Sequence, residues 1–312
     1  QSKYRDWFSN VRFDTHGAAP DGFSYDTWQG HSELIKLNLR HPDVIDHLLG
    51  AVGMWIDQFD IDGLRLDAAD CVDLDFFKRL KDFCRSKKSD FWLMGEIIHG
   101  DYNRYANDEI LDSTTNYECW KGIYSSHNDR NYFEIAHSLK RQFGPSGIYS
   151  RLRLYNFLDN HDVNRIASLL RDRRHIFNAY TLLYTMPGIP SIYYGSEWGI
   201  EGLRTQGHDA DRPVRPALKI ADMVHGDTSL LSHIELLGAK RMGSEALQNG
   251  RYEEILVKNE QFCFARATEH ESALVMLNLS EQPFLFDFSH RGKAYQSVVP
   301  PCDSIILISK EK

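Results

Sequence analysis

Residues 61–67 read Ile61-Asp62-Gly63-Leu64-Arg65-Leu66-Asp67. An apolar run this short, closed by charged residues, has the length and composition of a buried strand rather than a helix. Period-2 alternation puts Arg65 and Asp67 on the same face of it. Upstream, Val44, Ile45, Leu48, Leu49, Val52, Trp55, Ile56 and Phe59 recur at helical spacing over 42–59. Downstream, the pattern predicts a helix over 74–85, a strand over 91–96, a strand near 109–115, a helix over 132–143, a strand over 152–158, a helix over 175–185 and a strand over 189–194. Short buried strands alternating with crossover helices imply a parallel sheet, either open or closed into a (β/α) barrel. Five such strands are counted, against the eight a closed barrel needs.

On either side of this alternation the texture changes. Residues 1–40 are rich in Asp, Gly, Pro and aromatics without a sustained period, which reads as a long structured loop. After a helix expected over 229–247, the pattern becomes period-2 at 254–258, 262–267, 273–279, 284–288 and 304–309. Strands with no intervening helix form an antiparallel sheet, expected to be a small sandwich. The expected divisions are therefore 1–40, 41–249 and 250–312.

The bulk properties exclude several function classes. The 312 residues carry 36 basic and 44 acidic side chains, a net charge of -8, with no basic stripe for phosphate contacts, so nucleic acid is not an expected partner. No apolar window of about 18 residues is present, so no membrane association is expected. Cys71, Cys84, Cys119, Cys263 and Cys302 lack C-x-x-C spacing; they read as free thiols in a reducing, cytoplasmic compartment, not as zinc ligands or a disulfide framework. A chain opening on Gln1 is expected to have lost its native start, and any targeting signal with it.

Active sites of parallel α/β folds collect at the carboxyl ends of the strands. Three of those ends carry acids. Arg65 beside Asp67 favours an oriented, ionised carboxylate suited to nucleophilic attack, although an Arg-x-Asp pair alone reads first as a structural salt bridge at a strand end. Glu96 follows the apolar run Trp92-Leu93-Met94-Gly95, and a carboxyl against an apolar wall suits a general acid, although alone it could simply cap the next helix. In Asn156-Phe157-Leu158-Asp159-Asn160-His161-Asp162, His161 and Asp162 could hydrogen-bond sugar hydroxyls, or the segment could be an ordinary Asx-rich turn. Asp67 to Glu96 is 29 residues and Glu96 to Asp162 is 66, spacings of about one and two βα units, which would bring all three acids to one rim.

The motifs 62–69, Gly95-Glu96 and 157–162 resemble those of glycoside hydrolase family 13, the α-amylase family. Within it the sequence is most similar to the neopullulanase, cyclomaltodextrinase and maltogenic amylase group, through Tyr4-Arg5-Asp6-Trp7-Phe8, Leu34-Ile35-Lys36-Leu37-Asn38, Val72-Asp73, Glu96-Ile97-Ile98-His99, residues 188–195 and Gly207-His208-Asp209. The resemblance implies retaining hydrolysis of α-glucosides in maltodextrins, starch fragments or cyclodextrins by double displacement. Asp67 would be the nucleophile, Glu96 the acid/base and Asp162 the transition-state stabiliser, with Arg65, His161, Asp70, His99 and Asp209 contacting substrate. It also implies that the strands are the fourth to eighth of an incomplete (β/α)8 TIM barrel, followed by a small antiparallel β-sandwich domain. The open barrel edge would need covering by a second copy in a homo-oligomer or by a companion N-terminal fragment. No cofactor is evident and no metal ligand is assigned: the calcium ligands usual in the family would lie largely in the absent N-terminal part. Asp70 and Cys71 replace the usual Lys or Asn and His, and Ile98 a frequent Trp, so acceptor-side contacts should differ. The competing expectation is a chain of the same fold that serves as a non-catalytic scaffold or binding protein.

Overall fold

Helix α1, Pro42–Phe59, begins where the sequence supplies three start signals together: His41 accepts from the Asp43 amide, Pro42 occupies the first turn and Asp43 is acidic there. It stops at Asp60, whose left-handed backbone (φ 53°) cannot propagate the helix. The computed structural model describes residues 2–13, 22–207, 209–219, 221 and 228–310. They form two compact units, Gln1–Thr114 and Thr115–Lys312.

In the first unit, residues expected as loop make two antiparallel ribbons. Strand β1 (Arg12–Phe13) pairs with β2 (Phe23–Ser24), and β3 (Thr27–Trp28) with β4 (His31–Ile35). Helix α1 buries Val44, Ile45, Val52 and Ile56. It meets α2 (Leu74–Lys87) so closely that a Cβ on Gly53 would lie 3.0 Å from the Phe83 ring. Asp73 caps α2 by accepting from the Asp75 amide, and Arg40 at 3.0 Å holds the same carboxylate.

The strands β5 (Gly63–Leu66), β6 (Trp92–Gly95) and β7 (Ser113–Thr114) are parallel in the order β5-β6-β7. Gly63 is required at its position, because any Cβ would meet the Trp92 carbonyl oxygen at 2.5 Å. Buried Lys81 of α2 donates to Asp112 at 3.1 Å, while the other Asp112 oxygen accepts from the Leu93 amide at 2.8 Å, tying helix to strand just ahead of β7.

The second unit opens on α3 (Tyr117–Asn128), capped by Asn116, and α4 (Phe133–Phe143). Periodicity does not show α3, because its inner face includes Gly122, Ser126 and His127 in place of aliphatic residues. Gly122 faces Ile135 of α4, where a Cβ would come to 3.1 Å. Strands β8 (Tyr155–Phe157) and β9 (Ile189–Ser191) pair in parallel, and Thr115 bridges to Tyr155. Short α5 (Ile166–Leu169) and the largely buried α6 (Ile176–Thr185) lie between them in the chain. The helix expected over 229–247 is two, α7 (Thr228–Met242) and α8 (Glu245–Asn249), separated at Ser244, which caps the second.

Six antiparallel strands follow, one more than periodicity showed. A four-stranded sheet runs β10 (Arg251–Val257), β11 (Gln261–Ala267), β12 (Glu271–Asn278) and β15 (Asp303–Lys310); β13 (Phe284–His290) pairs with β14 (Lys293–Val299) as a hairpin. Cys263 and Met276 of the sheet pack with Phe286 and Val299 of the hairpin. Phe262, Phe264 and Phe286 are wholly buried, so these aromatics are core and not an exposed sugar platform. On α6, Thr181 hydrogen-bonds Ser304 of β15 at 2.8 Å, docking the sheet onto the helical layer.

Candidate active site

In the first unit, the placement of two acids follows from strand register. Parallel pairing sets Leu66 beside Gly95, so the next residue on each strand, Asp67 and Glu96, emerges at the same sheet edge. The Glu96 amide donates to the Leu66 carbonyl at 2.9 Å and the Ala69 amide to the Glu96 carbonyl at 3.1 Å, which anchors both backbones beyond the strands. Gly95 allows this approach: a Cβ there would sit 2.5 Å from Leu111 Cδ1 and 2.8 Å from Ala69 Cβ.

One guanidinium joins the two carboxylates. Arg65 Nη1 pairs with Asp67 Oδ1, and Arg65 Nη2 with Glu96 Oε2 at 2.8 Å. The acids differ in environment: the Asp67 side chain is 76% exposed and the Glu96 side chain 9%. Arg65 was expected to orient Asp67; its bond to Glu96 is a second role that period-2 reasoning on one strand could not show. Asp70, on the turn Ala69–Cys71, and His99 beyond β6 are both exposed. Burial and the neighbouring Asp70 carboxylate push the Cys71 thiol up.

In the second unit, a separate group of acids hangs on a loop after β8. Asp159 is buried and caps α5 by accepting from the Ile166 amide at 2.8 Å, while Ser196 donates to it at 2.8 and 2.9 Å. Burial raises the Asp159 carboxyl to about 6. Arg165, with no exposed surface, donates to the carbonyls of Val214 (2.8 and 3.1 Å) and Tyr194 (2.6 Å) and to Ser196 Oγ (3.0 Å), and its guanidinium lies 4.0 Å from the centre of the Tyr193 ring.

Above this buried frame, Asn160 accepts from the Asp162 amide at 2.8 Å and donates to the Tyr117 hydroxyl at 3.0 Å. The Asp162 carboxylate meets His161 Nε2 at 3.0 Å and Arg215 Nη2 at 2.7 Å; Arg215 also donates to the His161 carbonyl at 2.8 Å and to Asp211 at 3.0 Å. Arg215, Asp211 and Arg204, which pairs with Asp211 at 2.5 Å, were not found from the sequence. They lie in an aperiodic segment past β9, and the one signal there was Gly207-His208-Asp209. Asp209 is exposed and its carbonyl accepts from the Arg212 amide at 3.1 Å, turning the chain toward Arg215; His208 lies outside the described residues.

The structure thus brings Arg65, Asp67 and Glu96 together in the first unit, and His161, Asp162 and Arg215 together in the second. All five cysteines are free. Among the described residues one cluster, Asp172, His175 and Cys302, has ligand atoms within 4.8 Å of one another, but Arg174 already holds Asp172 at 2.6 Å, where a metal ion would have to compete with a guanidinium. No helix among the described residues is long and apolar enough to cross a membrane.

Residues 1–227 match the family model described as the α-amylase catalytic domain. The chain is 27% identical over 292 residues to a cyclomaltodextrinase of Geobacillus thermopakistaniensis, covering 90% of this chain and 47% of that protein. It is 26% identical over 284 residues to the intracellular maltogenic amylase of Bacillus subtilis, covering 89% and 46%. The structure of cyclic α-maltosyl-(1→6)-maltose hydrolase from Arthrobacter globiformis in complex with maltose superposes with a TM-score of 0.84 at 25% identity, over 99% of this chain and 69% of that one. The chain spans about half the length of the curated relatives it matches. The family match and the structural neighbours imply a (β/α)8 barrel fold with a following β domain. By the extent of that match, the chain belongs to the α-amylase catalytic-domain family.

Proposed function

We propose that this chain carries the catalytic groups of a retaining α-glucoside hydrolase acting on maltodextrins, starch fragments or cyclodextrins. The observation that carries the reading is the Arg65 bridge between an exposed and a buried carboxylate at adjacent strand ends. Asp67, open to solvent and oriented by Arg65, attacks the anomeric carbon while Glu96 gives a proton to the departing glycosidic oxygen. Water then loses a proton to Glu96 and displaces Asp67, restoring both groups with configuration retained; this chemistry needs carboxyls about 5–5.5 Å apart. Before the first step Glu96 must hold a proton. Asp162, with His161 beside it, accepts hydrogen bonds from hydroxyls of the distorted ring, and Asp70, His99 and Asp209 contact flanking sugars. In this reading β5–β9 correspond to the fourth to eighth strands of the barrel, and the relative named as intracellular supports a cytoplasmic setting.

The test is release of reducing ends from maltoheptaose or β-cyclodextrin. Glu96→Gln should lower kcat by about 10²–10⁴-fold, as for loss of a general acid/base. Asp67→Asn should lower it by about 10⁴-fold or more. Activity that survives both substitutions sinks the assignment. A second reading, a scaffold or binding protein without catalysis, is favoured by the same ion pair taken as a strut between β5 and β6. In that case Glu96→Gln would lower the unfolding midpoint of a chain that releases no reducing ends to begin with.

A further inference from the structure

A cavity of about 630 Å³ opens in the second unit at the opposite ends of the strands from His161 and Asp162. Its walls include residues 143–145, 150–153 and 187–188, which precede β8 and β9, whereas the acid-bearing loop follows β8. Arg151, Arg153, Arg251 and Arg266 line it, against a single carboxylate, Glu253. Such a balance is unusual in a chain whose net charge is -8.

The arginine at its base is buried without an anion. Arg266 is 2% exposed and donates to two carbonyls, Gly250 at 3.0 Å and Thr185 at 2.8 Å. Behind the wall, Arg241 donates to the Tyr184 carbonyl at 2.7 Å and the Gly188 carbonyl at 2.5 Å. No carboxylate pairs with either among the described residues. Carbonyl oxygens satisfy N–H groups but do not neutralise charge, and a buried cation without a counter-ion is costly. Burial, together with the neighbouring guanidinium, lowers Arg266 to about 9, and burial with Arg153 nearby lowers Arg241 to about 10. An anion in the cavity would relieve Arg266.

We propose that this cavity binds a phosphorylated sugar. Guanidinium forks match phosphate oxygens in pairs, which favours a phosphate monoester over a diffuse halide. The volume lies in the range of small-molecule sites and leaves room beyond the phosphate. There Ser150 offers a hydroxyl to sugar hydroxyls, and Pro145 and Pro187 offer flat apolar surface. The proposal does not depend on the catalytic reading, since it uses none of the same residues.

Isothermal titration with glucose 6-phosphate, glucose and inorganic phosphate, at constant ionic strength, tests it. Glucose 6-phosphate should bind at one site at least about tenfold more tightly than inorganic phosphate, a difference of about 1.4 kcal/mol, and glucose should give no heat. The rim variant Arg151→Ala/Arg251→Ala, with an unchanged unfolding midpoint, should lose about tenfold or more in affinity. Equal affinity for phosphate and glucose 6-phosphate, no binding of either, or full binding by the rim variant would each overturn the proposal.

Discussion

The acid clusters of the two units are built in different ways. Asp67 and Glu96 sit one residue beyond paired positions on neighbouring parallel strands, so backbone register alone delivers them to one edge, and a single guanidinium holds both. Asp162 sits on a loop whose shape depends on Asp159, Arg165, Ser196 and Val214, residues up to 55 positions apart in the chain. Strand-borne groups inherit the rigidity of a ladder, whereas loop-borne groups need a buried polar frame, and such a frame is strong only when every member is satisfied.

The largest effect expected from breaking that contrast comes from Arg165→Met. It leaves the Val214 and Tyr194 carbonyls and Ser196 Oγ without their donor, and should cost about 3–5 kcal/mol in urea-induced unfolding. A cost below about 1 kcal/mol would mean that the loop holds its shape without the frame.

Next comes the pH response of the frame. The folded Asp159 carboxyl titrates at about 6 against an ordinary value of 3.8, so the folded state keeps a proton that the unfolded state releases. Its contribution to stability is fully present below pH 3.8 and is lost as pH rises through 6, by about 3 kcal/mol. Asp159→Asn should therefore gain stability relative to the parent across that window; parallel stability curves would contradict this.

Gly95→Ala probes the strand-borne half. The added Cβ collides with Leu111 and Ala69, so a loss of about 1–3 kcal/mol is expected, with kcat falling more than KM rises because Glu96 is displaced. The smallest effect belongs to Arg215→Lys. Arg215 is exposed, so stability should change by less than about 1 kcal/mol. A change in KM should nevertheless follow, because a lysine cannot hold Asp162, Asp211 and the His161 carbonyl together. An unchanged KM would separate Arg215 from the substrate.

Much of this was legible without coordinates. The strand over 92–95 announces itself because a strand buried on both faces is an unbroken apolar run, and helices α1, α2 and α4 because a helix buried on one face is periodic. Helix α3 stayed hidden because its buried face is partly polar. Its His127 gives Nδ1 to the Ile123 carbonyl at 2.7 Å, and its Ser126 Oγ accepts from the Ile135 amide at 3.0 Å, contacts that substitute for apolar burial. Strand β14 stayed hidden because Lys293, Ala294, Gln296 and Val298 face solvent and leave too few apolar positions to mark a period.

By itself the sequence determined the alternation of elements, the placement of Asp67 and Glu96 at strand ends, and the change to an antiparallel sheet after 250, since each is a property of local spacing and burial. Tertiary structure alone decided that Arg65 serves two acids, that Arg215 reaches back to Asp162, and that four arginines converge on a cavity with one carboxylate. Those facts are distances between residues remote in the chain, and local periodicity carries no information about them.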